Sequence, residues 1–217
     1  MKIHHISENN SILNKFISEI RDVQVQKDAM RFRRNIERIG EIISYELSKE
    51  LSYNNEKITT PLGIKNIDLF EKDIVICSIL RAGLPLHQGI LNYFDHAESA
   101  FISAYRYHPN NDAEFDIKVE YFASPTLEGK TLILADPMLA TGQSLVAVYE
   151  AIKRYGTPKK IHLASVIAST DGINFIKDKF DEDTDLWIAA IDDKLNDKGY
   201  IIPGLGDAGD LAFGPKQ

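Results

Sequence analysis

Cysteine, long apolar runs and positive charge are the three things that this sequence has little of. Its one cysteine, Cys77, excludes an internal disulfide and, inside the run DIVICSIL, is expected to be a small buried residue. The apolar runs are far shorter than a membrane-spanning helix, and the first residues lack the apolar segment of a secretory signal. These features predict a cytoplasmic protein that does not bind membranes.

Basic residues are fewer than acidic ones: the chain has 25 lysines and arginines and 32 aspartates and glutamates, which gives a net charge of −7. General nucleic-acid binding requires a basic surface, so nucleic acid is not an expected partner. A small anion remains compatible if a few arginines, helix N-termini or a metal ion neutralise it locally. The 217 residues, 44% hydrophobic and 26% charged, suit one globular domain.

Short β-rich runs alternate with helical ones after about residue 70. The β-rich runs cover residues 73–80, 100–106, 130–136, 160–168 and 186–192, and the helical stretches cover residues 83–94, 144–156 and 171–180. This alternation predicts an α/β fold, with a mainly parallel sheet flanked by helices.

Three segments flank or interrupt this pattern within a single domain, residues 1–217. Residues 1–60 are expected to form a helical arm, because apolar residues recur at helical spacing, at Met30, Phe32, Ile36, Ile39, Ile43 and Leu47. Residues 107–126 are polar and then weakly alternating, which predicts a projecting, flexible loop or β-hairpin over the site. Residues 199–217 form a tail rich in glycine and proline, without helical periodicity.

The stretch LILADPMLATGQS, residues 132–144, carries the strongest chemical signal. An apolar strand ends at Asp136, small residues follow, and a helix begins. Free N–H groups at a helix N-terminus bind phosphate, and Thr141 and Ser144 add hydroxyl donors. A carboxylate beside such a cradle would accept hydrogen bonds from sugar hydroxyls or face Mg²⁺, so the pattern predicts a phosphorylated sugar. The alternative is an ordinary strand-to-helix turn capped by Thr141.

Three segments resemble the type I phosphoribosyltransferases, and among them the uracil phosphoribosyltransferase family. DPMLATGQS resembles the ribose-5-phosphate loop, ILRAGLPL (79–86) the diphosphate loop, and GYIIPGLGDAGD (199–210) the uracil-binding segment, in the family's order and spacing. The resemblance implies the type I fold, with a hood made by the C-terminal segment and the N-terminal helices. It also implies a pentosyltransferase of pyrimidine salvage, which makes UMP and diphosphate from uracil and phosphoribosyl diphosphate with Mg²⁺.

The resemblance also assigns roles to individual residues. The catalytic residues would be Asp136 at the ribose hydroxyls, with Arg81 and Arg106 at the diphosphate. The other substrate-binding residues would be Ala82, Gly83, Met138, Leu139, Ala140, Thr141, Gly142, Gln143 and Ser144. Main-chain groups of Ile201, Gly206 and Ala208, joined by Ala140, would match the edge of uracil, and Asp207 would face the metal-bound diphosphate through water.

Two departures from the family pattern concern donor binding. Gln143 stands where the family often has a second glycine, which adds bulk to the phosphate cradle. The loop lacks the family's lysine after the aromatic pair Tyr121 and Phe122, and Lys118 or Lys130 would have to supply that charge.

Catalysis is expected to rest on positioning and charge stabilisation, since the sequence offers no base for uracil N1. Three alternatives remain at this point: a transferase for another base, a pyrimidine-responsive RNA-binding regulator on the same fold, and a nucleotide-sensing module. The resemblance further implies a homodimer or a higher homo-oligomer.

Overall fold

A computed structural model of the chain describes residues 1–107 and 116–216, with the backbone alone for residues 104–107 and 116–120. The predicted mainly parallel sheet with flanking helices is confirmed. The strands in the described residues are β1 (Lys2–His5), β2 (Tyr53–Thr60), β3 (Gly63–Phe70), β4 (Ile74–Leu80), β5 (Glu98–Tyr107), β6 (Asp116–Ala123), β7 (Thr131–Ala135), β8 (Met138–Leu139), β9 (Lys160–Ser169), β10 (Asp185–Asp192), β11 (Lys194–Leu195) and β12 (Ile201–Ile202). The helices are α1 (Leu13–Arg21), α2 (Ala29–Ser48), α3 (Gly83–Leu91), α4 (Gln143–Ile152), α5 (Thr170–Lys177) and α6 (Ala208–Phe213).

The main sheet has eight strands in the order β1-β10-β9-β7-β4-β5-β6, with β8 pairing on β9. Every neighbouring pair is parallel except β5 and β6, which are antiparallel. The carboxyl ends of β4, β7, β9 and β10 therefore lie along one edge of the sheet. Ligands of open α/β sheets bind beyond that edge, so the fold brings the predicted loops to the place where a site is expected.

The two faces of the sheet are covered by different helices. Side chains of α1, α2, α3 and α6 pack on one face, and side chains of α4 and α5 pack on the other. Helix α2 begins after Asp28, whose side chain accepts a hydrogen bond from the Arg31 amide, and so caps the helix. The apolar residues of its predicted stripe are buried except Met30, which is 64% exposed.

Helices α2 and α3 approach each other closely at two glycines. A Cβ atom at Gly89 would lie 2.0 Å from the Glu37 carbonyl oxygen, and one at Gly40 would lie 2.8 Å from the Leu86 carbonyl oxygen. Only glycine allows this separation, which fixes α3, and with it the diphosphate loop that precedes it, against the N-terminal helices.

The prediction of a helical arm over residues 1–60 is wrong at both ends. Residues 2–5 form β1, which extends the sheet beside β10, and His4 stacks on Trp187 with ring centroids 3.7 Å apart. Residues 53–60 form β2, which pairs with β3 in a separate antiparallel hairpin whose turn is Pro61–Leu62. The exposed β2 sequence is polar on both faces, so it lacks the alternation that marks a half-buried strand.

The excursion predicted over residues 107–126 falls partly outside the described residues, which omit 108–115. Its second part contains β6, which continues the sheet from β5 with a register shift near Ser103 and Ala104. Cys77 is buried in β4 as expected, and burial raises the pKa of its thiol to about 12. None of the described helices is long and apolar enough to cross a membrane.

Candidate active site

The segment after β7 is held to β9 by main-chain and side-chain hydrogen bonds. The Asp136 amide donates to the Ala164 carbonyl at 3.0 Å, and the Ser165 hydroxyl donates to the Asp136 carbonyl at 2.6 Å. The Pro137 carbonyl accepts from both Val166 and Ile167 amides. These bonds fix the direction in which the Asp136 side chain leaves the sheet.

Asp136 is a weakly solvated carboxyl group. Its Oδ1 accepts one hydrogen bond, 3.3 Å long, from the Met138 amide. Burial disfavours the charged form and raises the pKa of Asp136 to about 7, while the Met138 amide opposes that shift. A carboxyl group in this condition has hydrogen-bonding capacity to spare for a ligand that brings hydroxyl groups or positive charge.

A left-handed residue, Gly142, immediately precedes helix α4. Gly142 has φ +79°, and a Cβ atom there would lie 2.6 Å from Ile176 Cγ2 and 2.9 Å from Phe175 Cδ1. The Thr141 hydroxyl accepts from the Gln143 amide at 3.4 Å, and Gln143 and Ser144 open the helix. The first-turn amides of a helix lack intrahelical acceptors, so this turn can bind an anion. The Gln143 side chain is exposed.

Helix α5 supports the loop from below. The Ser169 hydroxyl donates to the Ala140 carbonyl at 2.6 Å and accepts from the Gly172 amide at 2.8 Å. A Cβ atom at Gly172 would lie 2.2 Å from the Ala140 oxygen and 2.9 Å from the Leu139 oxygen. The Leu139 side chain is buried in the core, so only its main chain is left to contact a ligand.

The diphosphate loop lies beside the ribose loop. Arg81 and Ala82 follow β4, and Gly83 begins α3, where a Cβ atom would lie 3.4 Å from the Ala135 carbonyl oxygen. Below this turn, the buried His87 ring bridges the Ser78 hydroxyl at 2.8 Å and the Ser99 hydroxyl at 3.0 Å. Burial lowers the pKa of His87 to about 4, so the ring is neutral and pairs one donor with one acceptor.

The C-terminal segment reaches the diphosphate loop. Asp207 caps α6 by accepting from the Asp210 amide at 3.0 Å, and its Oδ2 lies 3.5 Å from Lys216 Nζ. Arg81 Nη2 donates to Asp210 Oδ1 at 3.0 Å and to the Gly214 carbonyl at 3.1 Å. The predicted diphosphate-binding arginine is therefore in contact with the predicted uracil-binding segment.

All three predicted segments meet at one edge of the sheet. Met138 and Ala140 of the ribose loop and Ala82 of the diphosphate loop pack against the core that contains Ile201, Leu205 and Ala208. Gly206, by contrast, is exposed, with φ +95°.

Of the three side chains predicted to supply basic contacts, two are outside the described residues and the third lies away from the site. The main chain of Arg106 lies near the end of β5, but its side chain is outside the described residues, as is that of Lys118. Lys130 precedes β7 at the opposite end of the sheet and pairs with Glu98. Lys130 is thus excluded as the replacement for the loop lysine, because strand β7 separates it from the carboxyl-end loops.

The carboxylates near the site suit a metal ion that is bound mainly by the phosphate oxygens of a substrate. Among the described residues, no three His, Cys, Asp or Glu side chains form a group that could hold a metal ion. Mg²⁺ often takes one or two carboxylates and completes its shell with phosphate oxygens and water. The under-solvated Asp136 and the half-exposed Asp207 suit that kind of contact.

Several residues that shape the site were not among those predicted. Asp210, which pairs with Arg81, is the second acid of the GDAGD sequence, and its position there is a signal that sequence reasoning could use. Ser165, Ser169 and Gly172 hold the ribose loop from the next strand and helix. Their contacts form only when β9 and α5 pack against the loop, so the local sequence around these small residues does not predict them.

Comparison with known proteins identifies related sequences over nearly the whole chain. The family model described as uracil phosphoribosyltransferase matches residues 7–215. A uracil phosphoribosyltransferase of Porphyromonas gingivalis is 49% identical over 216 residues, which cover 100% of both chains. That of Pyrococcus furiosus is 40% identical over 95% of this chain and 88% of its own. These matches give no support to the RNA-binding alternative.

Solved structures show the same architecture. The AQ2163 protein of Aquifex aeolicus superposes with a TM-score of 0.86 at 29% identity, over 98% of both chains. A hypoxanthine phosphoribosyltransferase of Staphylococcus aureus superposes with a TM-score of 0.50 at 15% identity, over 87% of this chain and 84% of that one. The second likeness concerns the fold alone.

Proposed function

Because this chain belongs to the uracil phosphoribosyltransferase family, we propose specific roles for its residues in phosphoribosyl transfer to uracil. The enzyme is a pentosyltransferase that acts on uracil and phosphoribosyl diphosphate and forms UMP and diphosphate. The observation that carries the proposed roles is the meeting of three segments, residues 79–86, 132–144 and 199–210, at the carboxyl edge of one sheet.

The turn at the start of α4 would bind the 5′-phosphate of the donor. The amides of Thr141, Gly142, Gln143 and Ser144 lie at a positive helix end, and two of these residues add hydroxyl groups. Asp136 would then face the ribose hydroxyls, and its negative charge would stabilise the positive charge that develops on the sugar. The spare hydrogen-bonding capacity of its carboxyl group supports this role.

Arg81, with Ala82 and Gly83, would bind the diphosphate, and Arg106 would contact it from β5. The Arg81 guanidinium already contacts one carboxylate, Asp210, and a diphosphate offers a stronger, multiply charged acceptor for the same donors. Mg²⁺ bound to the diphosphate would neutralise the leaving group, with Asp207 facing the ion through water.

Main-chain groups of Ile201, Gly206 and Ala208, together with Ala140, would recognise the base. Uracil presents acceptor, donor and acceptor in turn, and amides and carbonyls of a rigid turn can match that order. Cytosine presents an amine where one carbonyl is needed, and an unmatched buried polar group costs about 1–3 kcal/mol. Base selection would therefore depend on main-chain geometry.

Bond breaking at C1′ would run ahead of bond making to N1 of uracil. No basic side chain among the described residues is assigned to N1, so positioning and charge stabilisation would supply most of the rate enhancement. Exclusion of water would protect the cationic sugar, and the loop predicted over residues 107–126, which lies partly outside the described residues, is the element proposed to cover it.

The enzyme would act as a homodimer or a higher homo-oligomer in the cytoplasm. The β2–β3 hairpin exposes Leu62 (99%) and Ile64 (72%), and an isolated two-stranded hairpin is marginally stable, so a second copy of the chain is the expected cover. The cytoplasmic location follows from the donor, since a multiply charged phosphate ester does not cross a lipid bilayer unaided.

A transfer assay tests these assignments. Radiolabelled uracil, phosphoribosyl diphosphate and Mg²⁺ are expected to give labelled UMP, and omission of Mg²⁺ is expected to abolish it. Cytosine, hypoxanthine and orotate with the same donor serve as a panel for base choice. Equal turnover of cytosine and uracil would contradict the proposed main-chain recognition.

A further inference from the structure

The main chain of Gly204, two residues before Gly206, is bound on both sides by one ion pair. Its amide donates to Asp192 Oδ2 at 2.9 Å, and its carbonyl accepts from Arg21 Nη1 at 3.0 Å. Arg21 and Asp192 are themselves joined by two hydrogen bonds of 2.8 and 2.7 Å. Four hydrogen bonds thus connect helix α1, the end of strand β10 and the tail.

The neighbouring residues of the tail are held as well. Gln26 Nε2 donates to the Leu205 carbonyl at 3.2 Å and to the Ile20 carbonyl at 2.8 Å, so it links the tail to the end of α1. Gly204 has φ +56°, and a Cβ atom there would lie 2.1 Å from the Ile201 carbonyl oxygen. The turn from Ile201 to Leu205 is therefore closed on itself and bound from outside.

This ion pair is largely shielded from water. The Asp192 side chain is 7% exposed and that of Arg21 is 23% exposed. Bidentate, charge-assisted hydrogen bonds have a defined geometry, and partial burial keeps salt and water from weakening them. A surface ion pair would not constrain the tail in the same way.

The same strand ends connect the tail to the ribose loop. Asp192 is the register partner of Ser169, and the Ser169 hydroxyl donates to the Ala140 carbonyl. The spacing between Ala140 and the turn at Gly204 is thus set through two paired residues of β9 and β10. Ala140 and Gly206 are the two sides of the proposed uracil site.

We propose that Arg21 and Asp192 are positioning residues for pyrimidine recognition, assisted by Gln26. They are not among the residues proposed to contact the substrates. By holding both main-chain groups of Gly204 they set the direction of the amides and carbonyls that follow, at Gly206 and Ala208. This inference rests on the proposed uracil site and adds the residues that determine its precision.

Steady-state kinetics of Arg21→Met and Asp192→Asn test the inference. Arg21→Met removes the three hydrogen bonds that Arg21 donates, and Asp192→Asn removes the negative charge and at least one of the bonds that Asp192 accepts. Each change is expected to raise KM for uracil by about tenfold or more. KM for phosphoribosyl diphosphate is expected to stay within about twofold, because the ribose and diphosphate loops keep their own anchors. Discrimination between uracil and cytosine is expected to fall in parallel.

Two further variants distinguish a positioning role from a general loss of structure. Arg21→Lys keeps the charge but cannot form two parallel bonds, so a partial rise in KM for uracil is expected. Arg31→Met is the matched control: Arg31 lies on α2 and pairs with Glu19 of α1 at 3.3 Å, away from the tail. It is expected to leave both KM values unchanged, since Glu19 keeps Lys15 and Asn35 as partners.

The outcomes distinguish this inference from the proposed uracil site. Gly206→Ala alters the uracil turn itself, at a left-handed residue with open space around it. If Gly206→Ala raises KM for uracil while the Arg21 and Asp192 variants do not, the positioning role is wrong and the site stands. If Gly206→Ala and the Arg21 and Asp192 variants all leave KM for uracil unchanged, both the proposed uracil site and the positioning role are wrong. Should Arg21→Met not fold, Asp192→Asn and Arg21→Lys decide, and equal rises in both KM values in these variants would also overturn the positioning role.

Discussion

Asp136 combines a partly buried position with a single weak hydrogen bond, and this makes its role measurable at the residue scale. Asp136→Asn keeps the shape but removes the charge that would stabilise the cationic sugar. We expect kcat to fall by a factor that corresponds to ~2–4 kcal/mol, the scale of one lost electrostatic contact. Rapid-quench measurement of UMP formation checks this. Unchanged turnover in a folded variant would show that Asp136 has no catalytic role.

The raised pKa of Asp136 predicts a dependence on pH. In the free enzyme the carboxyl titrates near pH 7, so kcat/KM for the donor is expected to rise with pH through about 7 and then level. Stability is expected to change in the opposite direction. A raised carboxyl pKa stabilises the folded state below the ordinary value of 3.8, and that contribution is lost as pH rises through about 7.

Asp136→Asn has no titrating carboxyl group at this position, so it is the reference protein for the pH dependence of both kcat/KM and stability. The Tm of the unliganded wild type is expected to fall relative to that of Asp136→Asn between pH 5 and pH 8, as followed by differential scanning fluorimetry. Parallel Tm curves for the two proteins would mean that Asp136 is already ionised well below pH 7.

At the scale of elements, helix α5 and the predicted ribose loop approach each other closely at Gly172. Gly172→Ala would place a methyl group 2.2 Å from the Ala140 carbonyl oxygen, so the loop or the helix must move. We expect a stability loss of about 1–3 kcal/mol and a rise in KM for phosphoribosyl diphosphate. Thermal denaturation and donor titration measure the two effects.

Gly129→Ala is the matched control for that variant. Gly129 has φ +68° and open space around its α-carbon, so alanine there costs stability through backbone strain alone. It is expected to lower Tm without changing either KM. A rise in donor KM in Gly129→Ala of the same size would mean that destabilisation, and not loop displacement, causes the effect.

The central elements could be predicted because each carries a clear pattern. Strands β4, β5, β7, β9 and β10 are apolar runs, and the helices between them follow helical spacing. Strands β1, β2 and β3 cannot be predicted in this way, because short, polar or isolated segments take their structure from a partner strand. His4, for example, is defined by Trp187 and Asp185, with which it makes contact across the sheet edge.

The residues of the site also differ in whether a local sequence pattern predicts them. The residues of the ribose and diphosphate loops lie in compact motifs, so their types and order indicate phosphate chemistry directly. The ion pair of Arg21 and Asp192 joins positions 171 residues apart. No local sequence pattern predicts such a pair, because the two side chains meet only after α1 and β10 have packed around the tail.

At the scale of the whole molecule, the exposed β2–β3 hairpin predicts self-association. The double variant Leu62→Asp with Ile64→Asp places charge on the apolar tip, and charge at an interface core disfavours association. Sedimentation velocity is expected to show a shift to a smaller species. Tyr93→Asp, at a 49% exposed residue outside the hairpin, is the control and is expected to leave the sedimentation coefficient unchanged.

Retention of the assembled species by the double variant would exclude the hairpin as the interface. The assay for UMP formation on the same samples then tells whether self-association matters for activity.

The edge strand β1 has a consequence for the order in which the sheet forms. Lys2–His5 pair with residues 185–188, so this edge forms only when two segments that are distant in sequence meet. Contacts this distant in sequence slow folding, because a long stretch of chain has to be ordered before they can form. On refolding, β1 is therefore expected to join the sheet after the strands and helices between residues 74 and 192 have assembled.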